Sequence, residues 1–277
     1  MRAAGRTLGL PLILVLLLAG SSQAAAPPAN RRLLLLGQGP DGHPAGTHEY
    51  VAGLRILEKC LAQTPGLDVS LVLADEPWPE GPDLLRKCDG VVLFLSAGAK
   101  WIQADSRRLD ALAALAARGG GLSAIHWAMG TKDAKDVPAF VQLFGGCHGG
   151  PDRRYKVLTT TLVPAAGPSP LCAGIEPIPV RDEFYYRLKF APPPAKVLPV
   201  WQVRIDGQPE TVGWSWERPD GGRSFGFSGL HFHANWQLPE YRRLVTQGVL
   251  WTMRVAIPPG GVPVEISAAD LQLPPKR

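Results

Sequence analysis

Apolar positions in the first half of the chain fall into short solid runs separated by segments with helical spacing. Leu33-Leu34-Leu35-Leu36 is apolar without alternation, as a strand buried on both faces requires. Val91 to Leu95 and Leu122 to Ile125 read the same way, and Leu67 to Leu73 reads as another strand. Leu54, Leu57 and Leu61 recur at helical spacing behind Thr47, which is able to cap a helix beginning near His48. Asp105 to Arg118 is helical by pattern, with Leu109, Leu112, Ala113 and Ala116 on one face, and Gly119-Gly120-Gly121 ends it. Strand and helix therefore alternate through this half, which predicts an α/β fold with a doubly wound, mainly parallel sheet.

The second half is richer in strand signals: Tyr155 to Val163, Val197 to Ile205, Thr211 to Glu217 and Ser224 to Ser228. These are expected to form a β-rich insertion in a single domain. The last helix starts at Pro239, a residue suited to a first helical turn, and carries Tyr241, Leu244, Val245 and Trp251.

Composition narrows the class. With 45% hydrophobic and 19% charged residues the chain is globular, not disordered. Its many Gly and Pro residues follow no repeat period, which excludes collagen-like and solenoid architectures. The net charge of +5 is not gathered into a Lys/Arg run, so no nucleic-acid partner is expected.

The amino terminus reads as a secretory leader: Arg2 and Arg6, an apolar stretch from Leu8 to Leu18, then Ser21-Ser22-Gln23-Ala24-Ala25-Ala26. The apolar stretch is too short to span a bilayer comfortably, so no membrane anchor is expected to remain after cleavage. The expected division is a signal peptide over 1–26, an α/β domain over 27–260 and a Pro-rich tail over 261–277. Export places the protein in the periplasm or outside the cell. An oxidising compartment permits disulfides among Cys60, Cys88, Cys147 and Cys172; Cys147–Cys172 is the pair expected, with free buried thiols as the alternative.

Open α/β sheets bind ligands beyond the carboxyl ends of their strands. His48 follows the Gly-rich loop after the first strand, His126 follows the fourth, and His231-Phe232-His233 follows the strand ending near Ser228. If 231–233 stay extended, both imidazoles point to one side. Asp182 and Glu183 supply carboxylates. Imidazole and carboxylate serve both divalent metals and proton transfer near neutral pH. The candidate catalytic set is His48, His126, Glu183 and His231. The three histidines are the candidate ligands for Zn²⁺ or another divalent ion, and a metal-free His/Glu acid–base pair is the other variant. Trp127, Asp182, His233, Asn235 and Trp236 are the candidate substrate contacts. His43 and His148 read as solvated loop histidines. No nucleotide cofactor is expected, because no P-loop or G-x-G-x-x-G follows the first strand, and no G-x-S-x-G elbow is present.

Several blocks together resemble the ThuA-like, or trehalose-utilisation, family. They are Thr47-His48-Glu49-Tyr50 with Ala52-Gly53-Leu54; Gly120-Gly121-Leu122 through Ile125-His126; Arg181-Asp182-Glu183-Phe184-Tyr185; and Glu217 to Phe227, continuing through Gly229, His231-Phe232-His233, Asn235-Trp236 and Arg242-Arg243-Leu244 to Leu250-Trp251. The resemblance covers residues 31 to 260 and is greatest to exported members. It implies a class I glutamine-amidotransferase-like fold, with His126 where those enzymes carry a nucleophilic Cys, so Cys-dependent amide hydrolysis is not implied. It also implies a small-molecule carbohydrate as partner. On this reading the protein processes a disaccharide or keto-glycoside as a hydrolase, lyase or isomerase. The alternative is a non-catalytic secreted carbohydrate-binding or scaffold protein.

Overall fold

The computed structural model of the protein describes Met1 and residues 30–273. Beyond Met1, the leader expected over 1–26 lies outside the described residues. In chain order the elements are β1 (Arg31–Gly37), α1 (Tyr50–Leu61), β2 (Leu67–Leu73), α2 (Gly81–Lys87), β3 (Gly90–Phe94), α3 (Gly98–Gln103), α4 (Ser106–Ala117) and β4 (Gly121–Ile125). Then come β5 (Gly130–Thr131), α5 (Val137–Phe144), β6 (Gly146–Gly149), β7 (Arg154–Pro164), β8 (Ile178–Tyr186), β9 (Lys189–Phe190), β10 (Val197–Ile205), β11 (Gln208–Glu217), β12 (Arg223–Phe227) and α6 (Pro239–Thr252).

One nine-stranded sheet runs in the order β2-β1-β3-β4-β12-β11-β10-β7-β8. From β2 to β12 the neighbours are parallel; from β12 onward they are antiparallel. The β-rich segment is thus the second half of the same sheet, joined edge to edge through β12 and β11. Alternation along β1 explains its solid run of leucines. Leu33 and Leu35 belong to the core under α1 and α6, while Leu34 and Leu36 belong to the core on the other face with residues of α2, α3 and α4. Burying each such Leu contributes roughly 1.5–3 kcal/mol.

Local chemistry sets the helix starts. Asp105 caps α4 by accepting from the Arg107 amide at 2.9 Å. Thr47, expected as the cap of α1, does not act as one: its hydroxyl donates to the Pro44 carbonyl at 2.6 Å, and α1 begins at Tyr50 after Glu49, without a side-chain cap. Val262 and Val264, beyond Gly260, are buried in the core beside α1 and α6. The cysteines are all free, so the Cys147–Cys172 disulfide does not form. The Cys147 thiol donates to the Met129 carbonyl and that of Cys172 to the Val200 carbonyl. No helix among the described residues is long and apolar enough to cross a membrane.

Candidate active site

The carboxyl ends of the parallel strands open into one cavity of about 870 Å³. The loops there share a backbone feature. His48 after β1, Ala97 after β3, His126 after β4 and Leu230 after β12 have φ of 54°, 46°, 51° and 72°. A left-handed non-Gly residue costs about 1–2 kcal/mol, and such strain persists only where surrounding contacts hold it. At His126 those contacts are close. Its Nδ1 donates to the Ser228 carbonyl at 2.8 Å, and Gly98 of α3 packs so near the following turn that a Cβ there would collide with the Ala128 carbonyl oxygen.

The loop after β1 is pinned to the segment after β12. The His48 amide donates to the His231 carbonyl at 3.1 Å, the His233 amide to the Gly46 carbonyl at 2.8 Å, and Thr47 pairs with Phe232. This short ladder fixes His48 relative to His231. From below, the buried Asp182 carboxylate accepts from the amides of Leu230 at 2.6 Å, His231 at 3.1 Å and Phe232 at 3.4 Å, and from the Tyr241 hydroxyl at 2.8 Å.

The result is a convergence of imidazoles. His126 Nε2 lies 3.0 Å from His48 Nε2 and 3.2 Å from His231 Nδ1. His126 keeps its proton on Nδ1, where it donates to the Ser228 carbonyl, and His48 Nδ1 faces Asp41 Oδ2 at 2.8 Å, so with the His48 proton on Nδ1 both Nε2 atoms present lone pairs to each other. Two lone pairs at that separation require a proton or a cation between them. Nitrogens around a tetrahedral Zn²⁺ at 2.0–2.1 Å stand about 3.3 Å apart; the two separations at His126 are close to that and one ligand nitrogen from each of the three residues lies within 4.8 Å of the others, so the set is able to hold such an ion. Asp41 also fits the outer support such ligands use. It accepts from Tyr50 at 2.7 Å and meets His43 Nδ1 at 2.7 Å, while the His43 ring stacks on His48 at 3.7 Å.

Glu183 Oε1 lies 3.6 Å from His231 Nδ1 and 3.9 Å from His126 Nε2. Along β8, Ile178, Val180, Asp182 and Phe184 point into the core, so Glu183 and Tyr185 share the face toward the cavity. Tyr185 is clamped between two imidazoles, His126 at 4.6 Å and His148 at 3.9 Å. Its hydroxyl lies 3.1 Å from His126 Nε2.

Burial dominates the electrostatics. It pushes Glu183 up to about 7, helped by the charge of Asp182. It drives His126 well down, with His48 adding to the effect, and takes His231 down to about 4 with help from His48 and His43. Burial also works to raise Asp41, but hydrogen bonds from His48, Tyr50 and His43 outweigh it and hold the carboxyl far below its ordinary range. Burial thus favours the neutral form of His126 and His231, as metal ligation requires.

The family model for ThuA, trehalose utilisation, matches residues 42–252. The chain belongs to the ThuA family. A ThuA-like protein from Bacteroides uniformis superposes with a TM-score of 0.58 at 13% identity, over 83% of this chain and 94% of its own. The glutaminase domain of Trypanosoma brucei CTPS gives a TM-score of 0.45 at 15% identity, over 86% and 98%. PurLQS from Thermotoga maritima gives 0.44 at 14%, over 81% and 98%. A search of curated proteins finds no match. In this ThuA chain none of the four cysteines lines the cavity, and burial pushes their thiols up to about 11 or 12, which removes thiolate chemistry from the site.

Of the residues singled out in the sequence, His48, His126, His231 and Glu183 come together; His126 is sealed behind the others, which line the cavity, and Trp127 lines it too, half-buried, with its ring set edgewise to His148 at 5.9 Å. Others sit elsewhere. Asp182 is sealed beneath the site and holds backbone rather than substrate. Trp236 is core, packed so closely on Gly53 of α1 that a Cβ there would meet its indole nitrogen at 2.8 Å. His233 does not share a side with His231, because a 3-10 turn begins at residue 233; its Nε2 meets the Leu271 carbonyl at 3.1 Å. Asn235 donates to the Arg181 carbonyl at 3.1 Å and faces away from the cavity. His43 and His148, read as solvated, both line the cavity; His43 is half-exposed, and His148 is buried. Asp41, Tyr50 and Tyr185 were not singled out. Asp41 stands two residues before His43 in the Gly-rich loop, the one local signal available.

Proposed function

We propose that this ThuA protein is an exported enzyme that processes a disaccharide or keto-glycoside of the trehalose type. Glu183 moves a proton beside a sugar carbonyl, and His48, His126 and His231 hold a divalent ion such as Zn²⁺. The observation that carries this reading is the meeting of three imidazole nitrogens, two of them with their other ring nitrogen already engaged, beside a carboxyl withdrawn from water. When bound, the ion would polarise a carbonyl oxygen as a Lewis acid. The protein's own groups supply the rest. Glu183, 3.6 Å from His231 Nδ1, would accept the proton from a carbon beside that carbonyl, Asp41 fixes the His48 ring, and Trp127 offers an apolar face to sugar C–H groups. The cavity volume lies in the range of small-molecule sites. The leader-like first 26 residues support export.

Turnover of a panel of disaccharides and their keto derivatives, with and without chelator, tests this reading. The expected outcome is turnover of at least one keto derivative, abolished by chelator and restored by metal. Glu183→Gln should lower kcat by about 10²-fold or more, the scale of a lost general base. Sugar binding without turnover, indifferent to chelator and to Glu183→Gln, would replace this reading with a non-catalytic carbohydrate-binding protein.

A further inference from the structure

Tyr185 has an unusual setting for a buried phenol. Its ring is stacked on both faces, at 3.9 Å from His148 and 4.6 Å from His126, and its own carbonyl accepts from the Ser228 hydroxyl at 3.1 Å. Those contacts hold the ring in one orientation. The hydroxyl is thereby delivered to the point where the three histidines converge, 3.1 Å from His126 Nε2. The Nδ1 proton of His126 is committed to the Ser228 carbonyl, so Nε2 has no proton to give the phenol; with the two rings stacked at 17°, the hydroxyl sits over the imidazole face rather than on its in-plane lone pair. The in-plane lone pairs would serve a cation if one were held there, and the Tyr185 hydroxyl, beside them and without a committed acceptor of its own, would remain free to donate to an oxygen at the same point. Glu183, two residues earlier on β8, reaches the point from the same strand face.

We infer that Tyr185 is a catalytic residue of this site, donating a hydrogen bond to the substrate oxygen on which negative charge develops. The inference rests on the acid–base reading above. When Glu183 takes a proton from the carbon beside the carbonyl, the C–H electron pair becomes the C=C bond. The carbonyl π pair moves onto oxygen, where the Tyr185 O–H donates to it. As that oxygen re-forms its double bond, the C=C pair shifts to the next carbon and expels the glycosidic oxygen there, and the departing oxygen takes the proton from Glu183. Tyr185 keeps its own proton throughout. A fixed donor aimed at a developing oxyanion in a water-poor site is among the stronger catalytic devices available to a protein. The substrate class is accordingly a sugar with a carbonyl next to an acidic C–H, rather than an unoxidised glycoside.

Tyr185→Phe tests this, since it keeps the stacked ring and removes only the hydroxyl. The variant should keep the wild-type thermal midpoint and bind the same equivalents of Zn²⁺. Its kcat on the keto sugar turned over by the wild type should fall about 10²–10³-fold, the cost of one lost oxyanion donor, with KM within about threefold. Titration of the Zn²⁺-loaded proteins with acetohydroxamate, an oxyanion probe independent of turnover, should show affinity about tenfold weaker in Tyr185→Phe. Wild-type affinity for the probe together with kcat within twofold of wild type would overturn the inference while leaving the metal and Glu183 intact. So would loss of Zn²⁺ or of the thermal midpoint in the variant, which makes the phenol structural, and so would failure of the loaded wild type to bind the probe. Failure of the wild type to take up Zn²⁺, or an unaffected Glu183→Gln, would instead overturn the underlying reading, and this inference with it.

Discussion

A histidine that donates through one ring nitrogen presents a bare lone pair at the other, and the acceptor it finds decides where that lone pair points. Here Asp41 and the Ser228 carbonyl are those acceptors, and they turn His48 and His126 toward a common centre. His148 shows the other use of the ring: it stacks on Tyr185 as a flat apolar filler. Burial first, then the charges of Arg153 and Lys189, push His148 down to about 3. An unfolded imidazole titrates near 6.5, so between 6.5 and 3 the unfolded chain binds a proton that the folded chain refuses. The stability tied to this group is complete above about 6.5 and drains away as pH falls, at about 1.4 kcal/mol per pH unit. His148→Phe, which preserves the stack, should lose less stability than wild type between pH 7 and pH 5 in urea denaturation. Equal slopes would show that His148 accepts a proton without cost.

Elements deliver these residues through strain and alternation. β4 ends in a left-handed residue at His126, so the chain turns sharply and the fully buried imidazole meets His48 and His231 beneath the cavity floor. If that conformation is strained for a residue with a Cβ, His126→Gly should be more stable than His126→Ala by about 1 kcal/mol, measured by chemical denaturation. The reverse order would show that the turn tolerates a side chain freely. The parallel half of the sheet was legible in the sequence because its strands are solid apolar runs. β8 was not, since Arg181-Asp182-Glu183 breaks the apolar alternation. The break has a visible structural cause: Asp182 takes a core position as an acceptor for Leu230 to Phe232, while Glu183 takes the cavity side. His48, His126 and His231 were legible because each lies just past a recognisable strand. His148 and Tyr185 were not, because their placement depends on how β6 and β8 fold back on the parallel half, a long-range property that no local pattern carries. The 3-10 turn that separates His233 from His231 begins directly after the Thr47–Phe232 pairing, another long-range contact.

Over the whole molecule, the site lies where the two halves of the sheet meet. The parallel half contributes its strand ends, as open α/β sheets do, and the antiparallel half returns β8 to close the cavity with Glu183 and Tyr185. Neither half holds the full set: the imidazoles come from loops after β1, β4 and β12, and the carboxyl and phenol come from the far edge strand. The fold therefore couples the integrity of the sheet to the chemistry, and the proposed ion would stabilise the folded chain by binding only where the halves are joined. Metal analysis of the purified protein after dialysis against Zn²⁺ tests the central claim most directly. One equivalent per chain is expected in wild type, with loss in both His126→Ala and His231→Ala. Wild-type protein that retains no ion, or variants that retain a full equivalent, would contradict it.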